Sequence, residues 1–489
     1  MIFLRYVIIS FGIAGMVLFS GCSSVINSHR QKAPLMNDYL AGRDDDVQKK
    51  ITKKLSSVDN SGDEVMWRLE AGAFNFNTGN YSASIEHFQR AEKLIAEYDE
   101  RAIVSMRDTA SEGAMALTNL NALPYRGFCR DRIALSIFKA LGYLGNRNED
   151  AFRAQLRRLR DEQKKIMEDY QKFFAAAQAE VQAVKEKNPR AVQDVGESDD
   201  AIIKKTNSTE FKEGLTQLKT VANRGYGGFL NPAAIFLSGL GSIRDENYEN
   251  AQIDFQRLYE AMPDNRLFQK YYVTVLKAAN REIPQNLKTI EPFAFPLDRD
   301  CVYLIFANGR SAALKQIAIY FPIMTAWPMC EYYPAPYQKL QVVAAGNKYE
   351  TVLLSNMDGI MAQEFNERLS GIITRIVIST ALKEAGSYGA TYAVGQANWM
   401  AGLAVYLSSV FYRAAFNTAD TRSWEILPKE FQLTQFPVPA DRKIIIKPDG
   451  NSEKTQTVTL PPECRSAIVY VNAPSAEVFS YHVLEMNSK

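Results

Sequence analysis

Apolar side chains recur at intervals of three and four from about Asp63, and beyond about residue 297 the rhythm shortens to two. Positions three and four apart share one face of a helix, and alternate positions share one face of a strand. The chain therefore reads as helices first and strands afterwards. "DEVMWRLEAGAFNFNTGNYSASIEHFQRAEKLIAEYDE" predicts two amphipathic helices broken at Thr78-Gly79-Asn80, with Tyr81, Ile85, Phe88, Ala91 and Ile95 on one face of the second. Gly79 and Asn80 suit the left-handed conformation that ends a helix. "NPAAIFLSGLGSIRDENYENAQIDFQRLYEAMPDN" predicts another pair, with Asn231 as cap and Pro232 in the first turn. A weaker pair lies around "ALSIFKALGYLGNRNEDAFRAQLRRL". From Arg153 to Lys187 the chain is nearly free of helix breakers and dense in Gln, Lys, Glu and Ala, which predicts a long helical arm with a solvated face. Asn188-Pro189 stops it, and "NPRAVQDVGESDD" reads as an exposed loop.

After "IEPFAFPLDRD" the alternation predicts strands. "CVYLIFANGR" and "ALKQIAIYFPI" read as a hairpin turning at Asn308-Gly309, and "KLQVVAAGNKYETVLLSN" as another turning at Gly346-Asn347. "RKIIIKPDGNSEKTQTVTL" and "SAIVYVNA" continue the same style. Helical sequence interrupts the strands from about 357 to 417. Within it, residues 385–412 carry no charge and are long enough to cross a membrane. Gln396, Asn398, Ser408, Ser409 and four glycines favour a buried or interface-packing helical hairpin instead. The fold class that follows is α+β: a helical domain over 61–290, then a mostly antiparallel β domain over 291–489 with a helical insertion.

At the amino terminus a single Arg5 precedes an uncharged stretch from Tyr6 to Ser20. About 15 residues make roughly 22 Å of helix, short of the ~20 residues that span a bilayer. A charged start, a short apolar middle and small residues at the end make an export signal, placed here at 1–21. "VLFSGCSS" resembles a bacterial lipoprotein signal, whose terminal cysteine is lipidated and becomes the first mature residue. The resemblance implies acyl chains (palmitate among them) on Cys22, and through them a membrane as partner. Phe19 stands where the pattern prefers leucine. Ser23 replaces the aspartate that favours inner-membrane retention, which implies an outer-membrane anchor facing the periplasm. Residues 22–60 are polar, with Asp44-Asp45-Asp46 and paired lysines at 49–50 and 53–54, and read as a tether.

The helix pairs resemble tetratricopeptide repeats. Gly72, Ser84 and Ala91 supply small residues where paired helices cross, and Tyr81 and Phe88 match the bulky positions; Asn75 stands where the repeat has tyrosine. Gly239, Tyr248, Ala251, Phe255 and Pro263 match in the later pair, where Leu258 replaces a small residue. The pairs are not evenly spaced, so the array is compact with insertions rather than a uniform solenoid. The strings "MWRLEAGAFNFNTGNYSASIEHFQRAEKLI", "LPYRGFCRDRIALSIFKALGYL", "NPAAIFLSGLGSIRDENYENAQIDF" and "ADTRSWEILP" together resemble a family of bacterial lipoproteins with tetratricopeptide-like amino-terminal halves. That family supplies architecture and location but no activity. Arrays of this kind present a concave groove to helices or extended peptides, which implies partner-binding roles for Leu69, Ala73 and Phe76. A core role is equally compatible with those three.

Composition narrows the chemistry. Of 489 residues 46% are hydrophobic and 23% charged, and the net charge is +2, which gives no reason to expect nucleic acid as partner. Cys129, Cys301, Cys330 and Cys464 show no metal-ligand spacing; they read as buried thiols, with a Cys301–Cys330 or Cys330–Cys464 bridge as the alternative. Histidines are His29, His87 and His482, of which only His482 is a candidate base. No nucleophile elbow, P-loop or zinc-protease motif occurs. The expectation is a non-catalytic protein without cofactor or metal. In "NTADTRSWEILPKEFQL", Asp420, Arg422 and Trp424 read as a clasp that pins the helical insertion to the sheet by an ion pair and a buried indole, with a binding site as the alternative. The leading reading is a scaffold for envelope proteins. The alternative is a regulator or enzyme that contacts glycan or peptidoglycan through the carboxy-terminal domain.

Overall fold

A computed structural model describes residues 27–107, 123–187, 208–320, 324–369, 371–373, 376 and 419–487. Cys22 and the uncharged segment 385–412 lie outside the described residues. Residues 28–58 are not a tether. They form α1 (Ser28–Leu40) and α2 (Asp44–Val58), α1 capped by the Asn27 side chain accepting from the His29 N–H, α2 opening on three aspartates. Leu35, Met36 and Tyr39 on α1 and Val47, Ile51 and Val58 on α2 are buried in the main core. This narrow apolar stripe is outnumbered by the lysines and aspartates of the two helices.

The predicted pairs follow as α3 (Glu64–Asn77) with α4 (Tyr81–Arg107), α5 (Cys129–Gly145) with α6 (Glu149–Lys187), and α8 (Pro232–Arg244) with α9 (Tyr248–Ala261). α7 (Thr209–Ala222) precedes the last pair and α10 (Arg266–Ala278) follows it. Gly79, at φ +81°, makes the α3–α4 turn. Gly72 gives the Phe88 ring its place, since a Cβ there would lie 2.5 Å from it. Gly239 does the same for Phe255 at 2.8 Å. The long helix is present, and it starts at Glu149 rather than Arg153.

The strands are β1 (Cys301–Asn308), β2 (Ala313–Tyr320), β3 (Met324–Glu331), β4 (Leu340–Ala344), β5 (Asn347–Glu350), β6 (Val352–Asn356), β7 (Glu430–Pro437), β8 (Lys443–Pro448), β9 (Gln456–Thr459), β10 (Ala467–Ala473) and β11 (Ser480–Glu485). One sheet runs β11-β10-β1-β7-β6, parallel only at β1–β10; an antiparallel sheet runs β5-β4-β8-β9; β2 and β3 pair alone. The expected β1–β2 hairpin is therefore absent from the pairing. All eight residues of β1 are buried, so it takes a partner on each edge, and Gly309 at φ +68° sends the chain away instead of back. The β4–β5 turn falls on Ala345-Gly346, one residue before the expected place.

Alternate residues of β1 enter two cores. Tyr303, Ile305 and Ala307 face the helices, while Val302, Leu304 and Phe306 face the four-stranded sheet. The result is three layers, with the five-stranded sheet in the middle. Phe76 of α3 meets Tyr470 of β10 at 5.0 Å, and Phe236 of α8 meets Tyr303 at 5.9 Å. The expected boundary at 290/291 thus marks a change of secondary structure and not a division between cores. Past β6, a helix over residues 357–369, α11, adds Met357, Ile360, Met361 and Phe365 to the same core.

Candidate functional site

The residues expected to line a groove are core residues. Leu69, Ala73 and Phe76 are wholly buried, and Phe76 stands edge-on to Tyr81, Phe138 and Tyr470. Helix α5 and β10 cover the face on which Phe76 lies. The four cysteines are buried free thiols, and burial pushes Cys330 up to about 12, so neither alternative bridge is formed. His482 directs Nε2 at the Asn77 carbonyl (2.9 Å), which makes that nitrogen a donor. Burial and the neighbouring Arg68 hold His87 down to about 4.

The densest polar chemistry gathers on the segment 419–429, which lies between the helices and the sheet. Lys32, fully buried on α1, reaches Glu70 (3.1 Å) on α3, Glu425 (3.0 Å) and the Ser423 carbonyl. Glu70 also accepts the Glu425 and Ile426 N–H groups, each at 2.8 Å. His29 Nδ1 lies 3.2 Å from Glu425, and Nε2 lies 3.5 Å from Glu331. Burial opposes the charge of Glu425, yet Lys32 and His29 hold its carboxyl down at about 2. Glu70 goes the other way: burial raises it, and Glu425 beside it adds to the rise.

A second cluster surrounds Arg130, fully buried on α5. It binds Asp131 (3.0 Å), Ser311 (2.6 Å) and the Trp424 carbonyl (3.2 Å). Asp358 accepts the Ala312 N–H (2.6 Å) and pairs with Lys429 (2.5 Å). The expected ion pair and buried indole are both present, but they fasten the segment to the helices. Arg422 forks onto Asp420 (2.8 and 2.9 Å) and reaches Asp63 (3.3 Å), while Trp424 is sealed between Phe88 and Phe138. Charged groups in these clusters take one another as partners, and the arrangement positions the segment rather than presenting a reactive group. Among the described residues no group of three or more His, Cys, Asp and Glu could hold a metal ion, and no helix is long and apolar enough to cross a membrane.

Two open clefts lie on the helical layer. The first, ≈ 300 Å³, runs between α6 and the α8–α9 pair. Leu159, Ala234 and Ile235 are among its apolar residues; Lys164 and Arg257 line it with positive charge, and Glu168 and Asp254 with negative charge. Gln163, only 5% exposed, is one of its lining residues, and its buried amide oxygen has no protein hydrogen-bond partner. The second, ≈ 340 Å³, lies between α1, α2 and Trp67 of α3. No family model, curated protein or solved structure matches the chain. Neither cleft was legible in the sequence. The lysines of α2 do stand at helical spacing, and that spacing was the available signal for the second.

Proposed function

We propose that this is a non-catalytic binding protein of a bacterial cell envelope, anchored by lipid on Cys22 to the outer membrane with its folded part facing the periplasm, where it gathers protein partners. The observation that carries the reading is the α6–α8–α9 cleft. An apolar floor with a rim carrying charges of both signs suits an extended peptide, whose acidic side chains would meet Arg257 and whose basic side chains would meet Glu168. The glycine–phenylalanine packing of the α3–α4 and α8–α9 hairpins supports a tetratricopeptide-like array as the frame of this surface. The groove assigned to Leu69, Ala73 and Phe76 is replaced by this cleft. A photo-crosslinking residue at Lys164 in intact cells is expected to trap a reproducible protein, and the same residue at the remote, exposed Lys348 is not. No adduct at 164, together with retention of the protein on purified peptidoglycan, would transfer the reading to glycan. Separately, Cys22→Ser is expected to release the protein from membranes, and an unchanged distribution would remove the anchor.

A further inference from the structure

The second cleft brings together more donors than its own acceptors match. Lys50, Lys53 and Lys54 reach it from one face of α2, Gln31 from α1, and Trp67 from beneath. No carboxylate lines it. The Trp67 indole N–H, which can only donate, is buried and has no hydrogen-bond partner in the protein. Lys54 lies over the Trp67 ring at 5.4 Å and donates to Gln31 Oε1 at 3.0 Å. Burial lowers the pKa of its ammonium, and Asp63 outside the cleft only partly restores it. Lys50 is committed to Asp38, whereas Lys53 has no ion pair among the described residues.

We propose that this cleft is an anion site for a phosphate group, supplied by the headgroup of an anionic phospholipid. A phosphate offers several acceptors at once, and it would meet the indole N–H, the Lys54 charge that burial leaves undercompensated, and Lys53. Placing that phosphate in a lipid rests on the anchor reading above. Four residues separate Cys22 from Asn27, the cap of α1, and the five Cα–Cα steps between them reach at most about 17 Å. A chain acylated at Cys22 would hold the α1–α2 pair beside the headgroups, where basic side chains gain from the negative surface.

The test uses the full mature chain with Cys22→Ser, so that no acyl chain contributes. The indole N–H resonance that disappears in Trp67→Phe is followed during titration with inorganic phosphate and with short-chain phosphatidylglycerol; co-sedimentation is measured on phosphatidylglycerol and phosphatidylcholine vesicles. That resonance is expected to move with both phosphate probes, and the protein to sediment only with the anionic vesicles. Lys53→Gln with Lys54→Gln is expected to weaken vesicle binding about 10-fold or more. Lys49→Gln, at an exposed position outside the cleft, is expected to leave it unchanged. An indole that moves with neither probe, or vesicle binding indifferent to Lys53 and Lys54, overturns the site. Movement with inorganic phosphate and no vesicle binding overturns the lipid and leaves a soluble phosphate as ligand. The anchor stands or falls by the cell fractionation of Cys22→Ser, whatever these titrations give.

Discussion

Lys32 holds two carboxylates in a place where all three side chains are buried, so its removal should be costly. Lys32→Met leaves Glu70 buried without a counter-charge and Glu425 with only His29 beside it, and such a loss destabilises by about 3–5 kcal/mol. Urea unfolding of the variant is expected to show that drop, and a midpoint within error of the parent would contradict the account. His87 predicts a pH dependence. Its ordinary value is 6.5, and burial and Arg68 hold it near 4 in the fold, so the unfolded chain binds the proton first as pH falls. The stability that His87 contributes is complete above about pH 6.5 and drains away as pH falls toward 4. His87→Gln is expected to flatten the fall in urea midpoint between pH 7 and pH 5. These side chains show what a local reading misses: Lys32 and Glu70 are 38 residues apart, and Glu70 meets Glu425 across 355. Arg422 and Trp424 were legible because an arginine between polar residues and a tryptophan two places on mark a buried clasp by their types alone.

At the scale of elements, the helix pairs were legible because a Gly-Asn break and a three-four period are local facts, and the fold keeps both. A methyl group at Gly72 should test the pairing directly. Gly72→Ala would push a carbon to 2.5 Å from Phe88, and overpacking of this kind costs about 1–3 kcal/mol. Thermal unfolding is expected to show the loss for Gly72→Ala and to regain much of it when Phe88→Leu is added. The errors had physical causes as well. On α1 and α2 the buried stripe of Leu35, Met36, Tyr39, Val47, Ile51 and Val58 is outnumbered by lysine and aspartate, so average polarity concealed a packed pair. Asn308-Gly309 is a hairpin signal only if the strand before it has an edge to spare, and β1 has none.

For the molecule as a whole, the continuous core from α1 to β11 predicts a single cooperative unfolding event. Far-ultraviolet dichroism, which reports mostly helix, and fluorescence, to which the buried Trp67, Trp327 and Trp424 contribute, are expected to give coincident transitions. Two separated midpoints would restore two domains. Phe76→Ala, at the contact between α3 and β10, is expected to lower both signals together by about 3–5 kcal/mol. The closure of the two ends has a consequence for biogenesis. Ser28 bonds Thr421 and Lys32 bonds the Ser423 carbonyl, 391 residues further on. At about 5–20 residues per second, translation of that interval takes roughly 20–80 s. Throughout it α1 has its neighbours α2 and α3, and Tyr39 can reach Phe74, but Ser28 and Lys32 lack the partners they take on the 421–423 segment. Completion of the α1 contacts therefore waits on synthesis of the segment 419–429, late in the chain.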